Sequence, residues 1–283
     1  MVKVACAVDE IRSLTSDEIR TILDRDKKGE FLLLDVRQPE EYKTGHIPGA
    51  MLIPLGELEA RQEELDRNKK IITYCRSGHR SMAAAIALCG LGFDSVQHLA
   101  SGILGWHYET ITGIPERRPE LVTEATDVKD VLMLAMKLEK GSRGFYLVAS
   151  DKVRPSQVKE TFQTLANAED SHIRRLYERT IGLLGKEALP PFDRLEQELK
   201  VEHMEGGIEV SSALVRIDDR FSDEMEALEI ALEKEYMSYD FYKRISALVE
   251  NSETKALLHE LALEERKHAS KLLERLEEVV RQR

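Results

Sequence analysis

Residues 70–90 read KIITYCRSGHRSMAAAIALCG, and this stretch decides the architecture of the first part of the chain. KIITYC is a short apolar run bounded by turn residues, which predicts a buried strand. RSMAAAIALCG reads as a helix that stops at glycine. Working outward, FLLLDV (31–36), AMLIPL (50–55) and DSVQHL (94–99) are further short apolar runs. Between them lie helix-like segments: TSDEIRTILDRD, with Thr15 or Ser16 as its N-cap, and EEYKTG. Strands that alternate with helices predict a mostly parallel α/β sheet.

The chain has 283 residues, enough for two domains, with 42% hydrophobic and 33% charged residues. A net charge of -11 argues against nucleic acid or an anionic membrane as the main partner, since both require a basic face. The longest apolar run, Met82 to Leu91, is far too short to span a bilayer. Three cysteines, Cys6, Cys75 and Cys89, suit free thiols in a reducing compartment, so a cytoplasmic location is expected. They are too few for a four-cysteine metal site.

From Ile111 the pattern changes. TGIPERRPELVTEAT holds two prolines and clustered charges, which marks a boundary. The expected organisation is an α/β domain over 1–115, a linker over 116–124 and a helical domain over 125–283. Within the last, residues 131–179 repeat as 227–275 with a constant offset of 96 and no gaps. The repeat pairs Ala135 with Ala231, Glu139 with Glu235, Phe145-Tyr146 with Phe241-Tyr242, Glu169 with Glu265, and His172 with His268. An ungapped repeat of this kind is a duplicated helical hairpin. Two hairpins joined by a long irregular segment, 187–223, predict a four-helix bundle with one crossover.

Two constellations carry chemistry. Cys75 ends a strand and opens Arg76-Ser77-Gly78-His79-Arg80-Ser81, directly before a helix. Inward-pointing N–H groups of a tight loop, the positive end of the helix and two arginines all favour a thiolate. Such settings lower a cysteine pKa from about 8.5 to roughly 3.5–7.5. Cys89 falls on the apolar face of the next helix and reads as core. In the helical half, each hairpin offers Glu from its first helix and Glu-x-x-His from its second: Glu139 with Glu169 and His172, then Glu235 with Glu265 and His268. Helical spacing turns all six inward. Six ionisable groups in an apolar core require neutralisation, and a pair of metal ions supplies it. The oxygen and nitrogen donors suit iron or manganese. His98, His107, His203 and His259 lack such a setting and read as surface or loop residues.

The cysteine loop resembles that of the rhodanese family, in which four residues separate the cysteine from an arginine. Asp35-Val36-Arg37, Glu40-Glu41-Tyr42 and Gly45-His46-Ile47-Pro48-Gly49-Ala50 resemble the upstream signature of that family, and Ser101-Gly102 with Gly105-Trp106 its downstream one. The resemblance implies a rhodanese-like α/β fold and a sulfurtransferase in which Cys75 becomes a persulfide. It further implies that the backbone from Arg76 to Arg80 holds the persulfide, that Arg76, His79 and Arg80 receive an anionic donor such as thiosulfate, and that Asp35 lies behind them. A small thiol or a protein would accept the sulfur. The loop is one residue shorter than that of related phosphatases, which favours sulfur over phosphate.

The bundle, in turn, resembles the rubrerythrin family. That implies a ferritin-like fold, two iron ions (manganese or zinc as alternatives) on Glu139, Glu169, His172, Glu235, Glu265 and His268, and a homodimer. Two departures stand out. No four-cysteine iron site accompanies the bundle, so its reductant would be external. The additional carboxylate one turn beyond Glu235 is also missing, with Ser238 in its place. The expected function is sulfur transfer joined to peroxide or oxygen reduction, in sulfur metabolism or oxidative-stress defence. The alternative is a sulfur carrier or thiol sensor mounted on an iron-binding or structural dimerisation bundle.

Overall fold

The structure is a computed structural model that describes residues 11–26, 28–112, 127–153, 157–201, 224–249 and 251–281. The chain divides into two compact units, Met1–Ile114 and Pro115–Arg283. The expected linker at 116–124 lies outside the described residues, as do Cys6 and His203.

The first unit is built on a parallel five-stranded sheet in the order β1-β5-β4-β2-β3: β1 Arg12–Leu14, β2 Phe31–Asp35, β3 Met51–Leu52, β4 Lys70–Tyr74 and β5 Val96–Leu99. Its α-helices among the described residues are α1 Ser16–Arg25, α2 Pro39–Thr44 and α3 His79–Gly90. The two-residue side-chain period of the strands explains the layering. Leu34 and Ile71 face α3 through Ala84, Ala85 and Leu88, whereas Leu33 and Ile72 face Ile19, Leu23 and Tyr42 of α1 and α2. A sheet covered on both faces requires apolar runs without polar alternation, which is how these strands read.

Two expectations shift here. β3 stops at Leu52 and the chain enters a short 3-10 turn at Leu55, because Pro54 has no N–H for a ladder. β1 has no counterpart in the sequence reading, being only three residues long; its partner is β5, with Leu14 opposite Leu99. Directly after it, Thr15 rather than Ser16 caps α1, in a capping box with Glu18.

Among the described residues the second unit is helical: α4 Val128–Lys152, α5 Gln157–Leu184, α6 Phe192–Glu198, α7 Glu224–Leu248 and α8 Ser252–Arg281. The segment expected to be irregular from 187 on therefore contains a seven-residue helix, α6. Leu195 and Leu199 anchor it in the core beside Leu176 and Leu132. Residues 202–223 of that segment lie outside the described residues. Two apolar layers run across α4, α5, α7 and α8. One contains Leu132, Met136, Ile173, Leu176, Tyr242, Leu258 and Leu261, and the other Phe145, Phe162, Leu165, Ala227, Leu228 and Leu272. On these four helices Glu139, Glu169, His172, Glu235, Glu265 and His268 fall between the two along the sequence. No described helix is long and apolar enough to cross a membrane.

Candidate functional site

The cysteine loop is held by backbone rather than by side chains. Tyr74 stands opposite Asp35 in the β2–β4 register, so Cys75 emerges at the carboxyl edge of the sheet. Gly78 follows three residues later with φ 93° as the N-cap of α3. Its left-handed conformation and its surroundings both require glycine, since a Cβ there would lie 1.9 Å from the carbonyl oxygen of Ala100. The amide of Gly78 donates to Cys75 Sγ at 3.2 Å. From the other side, the segment that follows β5 clamps the loop. Ile103 N donates to Cys75 O at 2.7 Å and Leu104 N donates to Arg76 O at 3.1 Å. A Cβ on Gly102 would sit 2.4 Å from the Arg76 carbonyl, so this glycine too is fixed by close approach.

Cys75 is buried, and burial alone would push its thiol up. The N–H groups of Ser81, Ser77 and Gly78 together with the Ser81 hydroxyl outweigh this, and hold the thiol below the usual cysteine range. The sequence places Ser81 at the end of this loop without assigning it a role. Its Oγ also lies 2.9 Å from Gly78 O, which ties the helix start to the loop. Arg76, Ser77 and His79 are exposed around the loop, with Ser77 Oγ 3.2 Å from His79 Nδ1. Arg80 makes a bidentate pair with Glu41, both bonds at 2.7 Å, and this pair holds the Glu41 carboxyl down at about 2. An incoming anion at Arg80 therefore competes with Glu41. Behind the loop Asp35 is fully buried and paired with Arg37, whose Nη2 reaches Asp35 Oδ2 at 2.6 Å and Gly45 O at 2.7 Å.

Two sequence expectations need correction. Cys89 packs in the core as expected, yet it is disulfide-bonded, so it is not a free thiol; Cys75 is free. His98 is no surface residue either. It is buried on β5, 2.8 Å from Ser13 Oγ, and burial lowers its pKa. His259 is half-buried on α8, whereas His107 is exposed, 2.9 Å from Asp17.

In the helical unit the six expected donors come together and all are buried. They form two overlapping groups whose donor atoms lie within 4.8 Å of one another: Glu139, Glu169, His172 and Glu265, then Glu169, Glu235, Glu265 and His268. Glu169 and Glu265 belong to both, as bridging carboxylates would. His172 directs Nδ1 at Glu139 (3.0 Å), Glu169 (3.1 Å) and Glu265 (3.3 Å), which is the side a metal would occupy. Its other nitrogen, Nε2, lies 2.8 Å from Glu264, a carboxylate that Arg175 grips with both terminal nitrogens. An outer carboxylate on the far nitrogen of a histidine ligand orients the ring.

The duplication extends to this layer. Tyr242 Oη donates to Glu139 Oε1 at 2.6 Å, and its repeat partner Tyr146 donates to Glu235 Oε1. Each tyrosine thus crosses to the glutamate of the opposite hairpin. Two donor atoms still make no hydrogen bond while fully buried: Glu235 Oε2 and His268 Nδ1, 3.6 Å apart. Buried polar atoms without partners are costly, and here they face one another. Oxygen and imidazole donors in this arrangement fit a pair of divalent ions of the iron or manganese kind.

Lys234, which the sequence reading passed over, enters the same layer. It is 1% exposed, with Nζ 3.1 Å from Glu169 Oε1, 3.4 Å from Glu235 Oε1 and 4.9 Å above the Tyr146 ring. Burial alone would protonate these carboxylates. The Lys234 ammonium holds Glu169 well below the usual range and Glu235 at about 2. His268, buried against Glu235 and Glu265, is raised to about 10 despite its burial.

Comparison with known proteins agrees with this division. A rhodanese-like domain family matches residues 16–109, and a rubrerythrin family matches residues 116–205. The second match ends ahead of α7, so Glu235, Glu265 and His268 lie beyond it. Among curated relatives, the putative sulfurtransferase YtwF of Bacillus subtilis is 35% identical over 101 residues, 36% of this chain and 95% of that protein. A sulfurtransferase of Allochromatium vinosum is 35% identical over 91 residues, 32% of this chain and 82% of its own length. The putative sulfur carrier protein YrkF of Bacillus subtilis is 45% identical over 78 residues, 28% of this chain, and the chain spans only 42% of that relative. Over residues 16–109 the chain belongs to the rhodanese-like family, and a rubrerythrin domain follows it.

Proposed function

We propose that the chain is a sulfurtransferase with Cys75 as its nucleophile, joined to a carboxylate-bridged centre that holds two iron ions. The observation that carries the first half is the set of N–H groups aimed at Cys75 Sγ, which stabilises negative charge on that sulfur. With thiosulfate as donor, the Cys75 thiolate attacks the outer sulfur. The sulfur–sulfur bond breaks and its electron pair leaves with sulfite, so the enzyme retains a persulfide anion at the same loop. Arg76 and His79 are exposed where the dianionic donor would arrive, and Arg80 joins them once Glu41 releases it. Transfer of the outer sulfur to a thiol or protein nucleophile restores the Cys75 thiolate.

Glu139, Glu169, His172, Glu235, Glu265 and His268 would hold the metal pair, with Glu264 and Arg175 orienting His172 and the two tyrosines fixing Glu139 and Glu235. Bound iron would supply electrons to peroxide or oxygen, replenished by an external donor. The chain's own residues exclude bulk water from this layer, since all six donors are buried. The resemblance to YrkF favours a second reading, in which the persulfide is carried rather than turned over. Purified protein is assayed for thiosulfate-to-cyanide sulfur transfer beside its Cys75→Ala variant. Activity in the parent and none in the variant supports the enzyme. A stable persulfide on Cys75 without turnover supports the carrier, and equal activity in both proteins overturns the assignment of Cys75.

A further inference from the structure

The two halves of the metal layer are related by the 96-residue offset, and the repeat fails at the buried position directly before the first glutamate of each hairpin. Glu139 corresponds to Glu235, Tyr146 to Tyr242, Glu169 to Glu265 and His172 to His268. The residue before Glu235 is Lys234, whereas the residue before Glu139 is Leu138; both are buried. A lysine at such depth is rare unless it is paired, and Lys234 is paired with two of the donor carboxylates. Both of them, Glu169 and Glu235, belong to the second donor group, while only Glu169 belongs to the first. The ammonium therefore lies against the second half of the site.

Charge balance separates the halves further. Four carboxylates neutralise two divalent ions, so a buried ammonium is surplus once both ions are bound. Without the second ion, it supplies the positive charge that Glu169 and Glu235 require. We propose that Lys234 is an internal cation for the second half of the centre: metal binds first at Glu139, Glu169, His172 and Glu265, and a second ion enters only by displacing the Lys234 ammonium from Glu169 and Glu235. The two sites are unequal by construction, and Leu138 marks the half without such a competitor. This inference rests on the reading of the bundle as a dinuclear metal centre.

The test is a Mn2+ titration of the metal-free full-length chain. Bound ions are counted from the loss of the free aqua-ion signal in electron paramagnetic resonance, and heats are followed in parallel. Two binding steps are expected in the parent. In Lys234→Met the second step tightens by roughly tenfold or more, since a like charge a few ångströms away no longer opposes the ion, while the first step changes little. Lys234→Gln keeps a polar group at the position, guards against a folding failure of the methionine variant, and shows the same tightening. Two ions bound with unchanged second constants in both variants would overturn the role of Lys234 and leave the metal centre standing. No ion bound by the parent or either variant would overturn the metal centre itself, and the loading order with it.

Discussion

The loop at Cys75 and the layer around Glu169 both hold negative charge away from water, and they do so by opposite means. At Cys75 the charge rests on one sulfur and is met by main-chain N–H groups, with Gly78 and Gly102 allowing the backbone to close in. In the bundle the charge is spread over four carboxylates and is met by side chains: Lys234, two tyrosines and two histidines. Backbone donors are fixed once the loop folds and cannot leave. An ammonium on a four-carbon stem can. The first design suits an anion that must persist at rest as thiolate or persulfide, and the second suits a site whose counter-charge must make way for metal.

The largest expected effect separates the two regions. Cys75→Ala should lower sulfur transfer by at least ~1000-fold and leave the metal content of the bundle unchanged, measured by cyanolysis assay and elemental analysis on one sample. A parallel fall in metal content would break the comparison, because the regions would then depend on each other. Next in size is Gly102→Ala. Its Cβ would meet the Arg76 backbone at 2.4 Å, and a side chain at that left-handed φ costs about 1–3 kcal/mol. The unfolding midpoint of the first unit should drop, while metal binding by the second stays as it was.

Tyr146→Phe and Tyr242→Phe each remove one hydrogen bond to a buried carboxylate, worth about 1.5–3 kcal/mol. The duplication predicts similar losses of thermal stability in the metal-free protein; a large loss in only one would show that the halves differ beyond Lys234. The smallest effect concerns pH. Because the Cys75 thiol is held below the ordinary range, alkylation of Cys75 should rise with pH through a midpoint below that of an unfolded-chain cysteine. The thiolate correspondingly stabilises the fold above the ordinary thiol range, and this contribution is lost as pH falls through the lowered value. Ser81→Ala should move the midpoint upward and slow alkylation at neutral pH on the order of two- to tenfold. An unchanged midpoint would show that backbone donors alone suffice.

The contrast also explains what could be read from the sequence. Glycines, a cysteine and a strand-to-helix junction leave a contiguous pattern, so the loop from Cys75 to Ser81 was legible as a unit. The carboxylates and histidines were legible through periodicity, because residues three and four apart share a helix face. Lys234 and Glu264 escaped the same logic. Each sits one residue before a donor, roughly 100° around the helix, and reaches the site only through the length of its side chain. Arg37 was quoted within a signature, but its bidentate grip on Asp35 is a through-space fact that adjacency does not predict. Length explains the rest: β1 is three residues long, too short for any period to register, and β3 keeps only two residues of the run expected over 50–55.

The most direct test of the account is the metal content of the full-length chain purified under anaerobic conditions, set beside a Glu169→Ala, Glu265→Ala double variant. Both residues belong to both donor groups, so their loss dismantles the two positions together. The account predicts close to two iron ions per chain in the parent when iron is saturating, almost none in the variant, and unchanged sulfur transfer in both. A parent that holds no stoichiometric metal, or a variant that retains it, would contradict the dinuclear centre and leave sulfur transfer at Cys75 as the chemistry that stands.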